Sequence, residues 1–177
     1  MLAGGEKIKY VIAGGSCSGK TTLINELNKK GYFVLGEVAR EVIKERGFTD
    51  SSIGNFEFEK EILLRQIKRE EGLDNNKIIF LDRGSIDTLA YVEKIFGSIP
   101  EEFEYYASLC KYDKILIPDL LPFVFDGERI EKSKDEAVIL HQKIWNQYEK
   151  HGYSPIRIPV LKTIEERVNY VLEQIKC

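Results

Sequence analysis

The sequence predicts an α/β domain in which a five-stranded parallel sheet carries helices on both faces, and three observations predict it. Five short apolar runs are each followed by a stretch with helical spacing. The third run, residues 78–81 (IIFL), is apolar throughout, as in a strand covered on both sides. The first run feeds a glycine-rich loop that opens the first helix. At 177 residues, 43% hydrophobic and 31% charged, the chain has the size and composition of one compact domain, expected over residues 1–177.

Residues 9–13 (KYVIA) make the first strand, ended by Gly14-Gly15, and residues 20–30 the first helix, with Leu23, Ile24 and Leu27 on one face and Gly31 as its stop. Residues 32–35 make the second strand, ended by Gly36-Glu37, and Val38, Ala39, Val42 and Ile43 mark a second helix stopped at Gly47. Residues 51–72 form a long amphipathic helix reached without an intervening strand, an insertion placed to cover a site, and its charge-rich 59–71 stretch reads as a solvated face. Residues 78–81 (IIFL) make the third strand, ending at Asp82-Arg83-Gly84; Ser85 is placed to cap a helix over 86–96, and 101–109 is helical too. Residues 115–117 make the fourth strand, 134–150 a helix, 156–160 the fifth strand and 163–176 the last helix, with Glu165 and Glu166 where negative charge suits its dipole.

A net charge of −3 leaves no overall basic field, so no nucleic-acid partner is expected, because phosphate backbones are held by clustered Lys and Arg. The apolar stretch 115–124 is broken by Pro118, Asp119 and Pro122 and is far short of the ~20 residues a bilayer demands, so no membrane partner is expected. Glu6, Lys7 and Lys9 interrupt any signal-peptide core, and the expected location is cytoplasmic. Cys17, Cys110 and Cys177 are odd in number and far apart, which reads as free thiols, and His141 and His151 are expected at the surface.

Gly14-Gly15-Ser16-Cys17-Ser18-Gly19-Lys20-Thr21 fits G-x-x-x-x-G-K-[ST], with Thr22 following in the first helical turn. Between a strand and a helix this pattern is a phosphate-binding P-loop, which places the chain among P-loop NTPases. Glycines let backbone N–H groups wrap a polyphosphate, and the helix N-terminus adds its positive end. Lys20 reaches the β- and γ-oxygens, and the Thr21 hydroxyl ligates Mg²⁺. The expected cofactors are therefore ATP, with GTP as the alternative, and Mg²⁺. Cys17 has no His or Cys neighbour in sequence and reads as a small side chain in a variable position.

Asp82 ends the third strand and so puts a carboxylate at the C-terminal edge of the sheet, where it could hold magnesium through water. Asp82-Arg83-Gly84 differs from the Asp-x-x-Gly of GTPases and no Asn-Lys-x-Asp follows, which argues against an ordinary GTPase. Glu37 ends the second strand in the same way and faces the same crevice, where a carboxylate accepts the proton of a hydroxyl attacking a γ-phosphoryl group. Arg40, one turn on, is a candidate for holding the acceptor or the transferred group.

The segments GGSCSGKTTL, GEVARE, FLDRGSIDTLAY, FVFDGERI and HGYSPIRIPV, in this order over nearly the whole chain, resemble the family of small AAA-type ATPase domains that includes the ribosylnicotinamide kinase part of bacterial NadR. The resemblance implies a nucleoside- and nucleotide-kinase-like fold with strand order 2-3-1-4-5. It implies Lys20 and Thr21 on phosphates and Mg²⁺, Glu37 as base, and Asp82-Arg83 near the acceptor hydroxyl. It also implies a lid over about residues 126–134 that opens with Asp126 and Arg129, with Arg129, Lys132 and Lys134 as cation donors. That segment carries one arginine where many similar kinases carry two. Phe56, Phe58, Gln66 and Tyr91 flank the acceptor side, either to receive a planar group or to serve the core, and Pro159-Val160-Leu161 lies where similar kinases meet a purine. Two functions stay open. One is an ATP- and Mg²⁺-dependent kinase for a nucleoside-like acceptor such as ribosylnicotinamide, with Lys20, Arg83 and Arg129 neutralising charge; the other is a nucleotide-switched binding module. A homodimer is compatible with either.

Overall fold

The computed structural model describes residues 7–47, 54–73, 77–123 and 133–176. The elements run β1 (Ile8–Ile12), α1 (Lys20–Lys29), β2 (Phe33–Leu35), α2 (Val38–Arg46), α3 (Phe56–Glu71), β3 (Ile78–Asp82), α4 (Ser85–Phe96), α5 (Glu101–Ser108), β4 (Lys114–Pro118), α6 (Lys134–Lys150), β5 (Ile156–Ile158) and α7 (Ile164–Gln174). The five strands form one parallel sheet in the order β2-β3-β1-β4-β5, the order the family resemblance implied.

Alternation along each strand assigns the core to two layers. Tyr10 and Ile12 of β1, Phe80 of β3 and Leu116 of β4 face α1 and α7, where Leu23, Leu27, Val168 and Val171 meet them. Val11, Ile79, Leu81, Ile115 and Ile117 face the opposite layer, filled from α3 to α6 by Leu63, Leu89, Phe103, Ile144 and Tyr148. Each fully buried Leu, Ile or Phe contributes about 1.5–3 kcal/mol of transfer free energy, so strands this short hold by their side chains on both faces. α2 lies outside these layers and packs Val38 and Val42 on Phe58 and Ile62 of α3.

Register brings the strand ends level. Ile12 pairs with Asp82 and with Leu116, and Leu35 pairs with Leu81. The residues just beyond these ends, Gly14, Glu37 and Arg83, therefore gather at one edge of the sheet, and the Arg83 N–H donates to the Ile12 carbonyl at 3.2 Å.

Three expectations are corrected. The 59–71 stretch is not a solvated face throughout, because Glu59, Gln66 and Glu70 are 3%, 5% and 4% exposed. At 100° per residue they share the inward face with Leu63, and the charges on the other face make the ion pairs Arg65–Glu45 and Arg69–Glu41. Ser85 does not cap α4 but begins it: Gly84 is the N-cap, its N–H donates to Asp87 Oδ2 at 3.0 Å, and Ser85 Oγ donates to the Ala107 carbonyl. His141 and His151 are half-buried rather than on the surface. His151 bridges the Gln147 carbonyl and the Glu104 carboxylate, both at 2.7 Å. Cys17 and Cys110 are free thiols as expected, and Cys177 lies outside the described residues.

Gly84 is required for a close approach rather than for its backbone angles. A Cβ there would lie 2.8 Å from Tyr148 Oη and 2.9 Å from Tyr112 Cζ and Oη. Both tyrosines are pinned, Tyr148 donating to Asp87 at 2.5 Å and Tyr112 to Glu70 at 2.9 Å. Gly84→Ala is expected to cost about 1–3 kcal/mol, as overpacking does, and to lower Tm by roughly 3–10 °C in a thermal melt.

Candidate functional site

The loop between β1 and α1 runs through three left-handed or glycine-only conformations, at Gly14 (φ 119°), Cys17 (φ 60°) and Gly19 (φ 74°), and Gly19 is the N-cap of α1. Cys17 is the unusual member, since a non-glycine residue adopts such a φ only where its surroundings enforce it. The loop's carbonyl oxygens are held from several sides. Lys20 Nζ donates to Gly15 O at 2.7 Å, Leu121 N–H to Cys17 O at 2.7 Å, and Arg167 Nη2 to Ser18 O at 3.0 Å. The first-turn N–H groups of α1, from Lys20 to Thr22, have no intrahelical acceptor by helix geometry and face the loop's concave side with the positive end of the dipole.

A cleft of ≈ 290 Å³ opens here, lined by Cys17, Ser18, Gly19, Lys20, Thr21 and Thr22 on one side, by Glu37, Arg40 and Arg83 on the other, and by Leu121 and Pro122 at its rim. The structure thus brings together the loop and the strand-end charges that the sequence singled out separately. Glu37 is the N-cap of α2, and both its oxygens are occupied, Oε1 by Arg83 Nε at 2.7 Å and Oε2 by Arg40 Nε at 2.9 Å. Burial opposes ionisation of Glu37, but Arg83, then Lys20 and Arg40, outweigh it and hold the carboxyl down at about 2. Arg83 also donates to the Gly14 carbonyl at 3.1 Å and lies over the Tyr91 ring at 5.1 Å. Its own φ of 73° turns the side chain back over the strand ends.

Asp82 sits beneath, 5% exposed, with Oδ1 accepting no hydrogen bond. Burial, and after it the Glu37 charge, push its carboxyl up to about 6. A buried oxygen left bare costs free energy unless a ligand completes it. One hydroxyl from Thr21 and one carboxylate oxygen from Asp82 are a donor set that suits Mg²⁺, which takes few protein oxygens and fills the rest from water and phosphates. Lys20 is 7% exposed; burial, then Arg83, pull its ammonium down to about 8.

Other candidates fall elsewhere. Gln66 is in the core, donating to Glu70 at 2.8 Å, because α3 turns it inward at the lower half of the domain rather than toward the cleft. Phe58 packs on α2 and Phe56 on Phe96 and Phe103, so both serve the core, whereas Tyr91 supports Arg83. Asp126, Arg129 and Lys132 lie outside the described residues, and Lys134 is exposed at the start of α6.

Three residues at the site were not predicted to lie there. Asp87, on the first turn of α4, accepts from Gly14 N–H at 3.3 Å, from Gly84 N–H and from Tyr148, and stands 3.7 Å from Arg83. His141 Nδ1 accepts from Gly15 N–H at 3.2 Å; burial, then the Lys20 charge, pull the ring down to about 4, so it stays the neutral acceptor this bond requires. Arg167 is the third, buried against Gly19.

A family model described as AAA domain matches residues 9–167. The chain belongs to this AAA domain family. No curated protein sequence matches it. Among solved structures, this AAA domain is similar to NadR protein in complex with NR, at 21% identity and TM-score 0.73 over 95% of this chain and 51% of the other. It therefore spans about half the length of NadR. It is similar to thymidylate kinase from Ehrlichia chaffeensis, at 13% identity and TM-score 0.72 over 97% and 100% of the two chains. It is also similar to deoxyadenosine kinase from M. mycoides with products bound, at 16% identity and TM-score 0.64 over 95% and 98%. These likenesses place the AAA domain in the P-loop fold of nucleoside and nucleotide kinases. No described helix is long and apolar enough to cross a membrane.

Proposed function

We propose that this AAA domain is an ATP- and Mg²⁺-dependent kinase that phosphorylates a hydroxyl of a small, nucleoside-like acceptor. The observation that carries the reading is the pairing, in one cleft, of a P-loop with an ionised Glu37 and Arg83 opposite it and the bare Asp82 oxygen below. A loop that only gripped and released a nucleotide needs no carboxylate held ionised across from its phosphates. GTP is the alternative donor, and ribosylnicotinamide the acceptor favoured by the family resemblance.

Lys20 and the first-turn amides of α1 hold the triphosphate, with Thr21 and Asp82 as the protein ligands of Mg²⁺, which when bound screens the charge of the phosphates. Glu37 orients the acceptor hydroxyl and takes its proton late. A carboxylate near 2 suits that part, because a loose phosphoryl-transfer transition state leaves the hydroxyl largely protonated until the P–O bond has formed. Arg40, exposed at the mouth of the cleft, and Arg83 are the cations proposed to meet charge developing on the transferred group. Arg129 is proposed to add a cation from the lid.

The direct test incubates the protein with ATP, Mg²⁺ and a panel of nucleosides, and scores phosphorylated product against acceptor-independent hydrolysis. Product from one acceptor class is expected. Tight nucleotide binding with no product from any acceptor would leave the switch-like binding module in its place. The Lys20 ammonium gives a second measurement. Phosphate favours its charged form, so triphosphate affinity is expected to hold below pH 8 and to fall above it, by at most about tenfold per pH unit, in calorimetric titrations with a non-hydrolysable analogue.

A further inference from the structure

α3 carries three buried polar residues on one face, Glu59, Gln66 and Glu70, and they are treated very differently by their surroundings. Glu70 is saturated: Lys9 Nζ donates to it at 2.7 Å, Gln66 Nε2 at 2.8 Å and Tyr112 Oη at 2.9 Å. Glu59 is 3% exposed, and among the described residues only burial and the more distant Arg83 charge act on its carboxyl, with no hydrogen bond to it. An unmatched buried carboxyl is costly, and a folded chain keeps one where a ligand completes it.

The height of Glu59 in the domain follows from helix geometry. Glu70 is anchored to Lys9, near the start of β1. Eleven residues of helix raise Glu59 about 16 Å above Glu70, and three turns bring it back to nearly the same direction. Five residues of strand raise Gly14 a similar ~16 Å above Lys9. Helix geometry thus puts Glu59 at the level of the P-loop and of Arg83, and among the described residues Arg83 is the charge that acts on it. The other charges on the elements around it are engaged elsewhere: Glu37 and Arg40 at the start of α2 with each other and Arg83, Asp87 of α4 with Gly84 and Tyr148, and Lys60 with Glu102 of α5. Burial pushes the Glu59 carboxyl up to about 8, so at neutral pH it is an acid with one O–H donor and one carbonyl acceptor.

We infer that Glu59 is a specificity-determining residue of the acceptor pocket, and that its carboxyl pairs by two hydrogen bonds with a donor–acceptor edge of the acceptor's planar base, such as a carboxamide or an aminopyrimidine edge. The acid O–H donates to the ring nitrogen or carbonyl oxygen, and the acid carbonyl accepts from the adjacent N–H. This deepens the proposed kinase reading and rests on it for the identity of the ligand as an acceptor.

The test measures equilibrium binding without turnover, in the presence of saturating non-hydrolysable ATP analogue so that Lys20 titration does not enter. The probes are two matched pairs that differ in the N–H donor, adenosine with purine riboside and ribosylnicotinamide with its acetylpyridine counterpart. Wild type is expected to prefer the donor-bearing member of at least one pair by about 10- to 100-fold. Glu59→Gln, which keeps one donor and one acceptor, is expected to retain that preference, and Glu59→Leu, of similar volume, to abolish it while leaving ATP-analogue affinity unchanged. In wild type the preference is also expected to fade above pH 8, a limb that Glu59→Gln lacks. A preference intact in Glu59→Leu, equal loss in Glu59→Gln and Glu59→Leu, or no binding of any of the four probes overturns the inference. Binding with the expected pattern but no phosphorylated product sinks the kinase reading alone.

Discussion

Glu37→Gln is expected to lower acceptor-dependent turnover by about 10²–10⁴-fold while leaving the KM for ATP within about threefold. The substitution keeps the shape of the side chain and one oxygen for Arg83, so Arg83 can still reach the Gly14 carbonyl and the loop keeps its place. It removes the charge that takes the hydroxyl proton. It also leaves the Arg83 guanidinium, buried beside Asp87, without its main counter-charge, which is expected to cost on the order of 1–3 kcal/mol of stability. Steady-state kinetics against both substrates and a thermal melt separate the two effects. Turnover that survives the change would remove Glu37 from the chemistry.

Asp82→Asn is expected to move stability and turnover in opposite directions. The folded-state carboxyl titrates near 6 against 3.8 for an unperturbed Asp, because burial and then Glu37 disfavour its charge. Its ionisation therefore costs stability at every pH above about 6, the cost shrinks as pH falls, and it is gone below about 4. An amide of the same shape carries no such charge. Asp82→Asn is expected to raise the Tm of the ligand-free protein by several degrees at pH 7.5, for a gain of roughly 1–3 kcal/mol, and the gain is expected to dwindle toward pH 4. Mg²⁺-dependent turnover is expected to drop by about 10²-fold or more, since the one bare oxygen at the strand edge is lost. The ligand-free protein's affinity for Mg²⁺ is expected to fall as pH is lowered through 6, because Asp82 must then give up a proton to bind the cation, whereas Glu37 stays ionised throughout that range. A variant that is neither more stable nor less active would remove Asp82 as a strained metal ligand.

Much of this site was legible because it is written locally. Each strand announces itself as an apolar run with turn residues after it, so whatever follows a run lies at the sheet's C-terminal edge. That is why Glu37 and Asp82 could be placed in one crevice from sequence, and register confirms that their strands end level. What escaped depends on rotation and docking. On α3 the sequence pointed to Gln66, which lies in the core beside Glu70, whereas the residue we infer to meet the acceptor is Glu59, two turns earlier on the same face, because helical spacing fixes a face without fixing its height. His141 reaches the loop from α6 across 126 residues of chain, and no local pattern marks it. Arg167 did leave a trace: it interrupts the apolar stripe of Ile164, Val168 and Val171, and a charge there asks for a buried partner.

That partner is the Ser18 carbonyl, 149 residues away. On a ribosome the glycine-rich loop is made early and α7 late, so the loop's final brace does not exist while most of the chain is being synthesised. Contacts of such long sequence separation form slowly, because the ends of a long loop must find each other first. Nascent chains halted before α7 has emerged should therefore lack the proposed grip on triphosphates, and acquire it only when α7 has closed against α1.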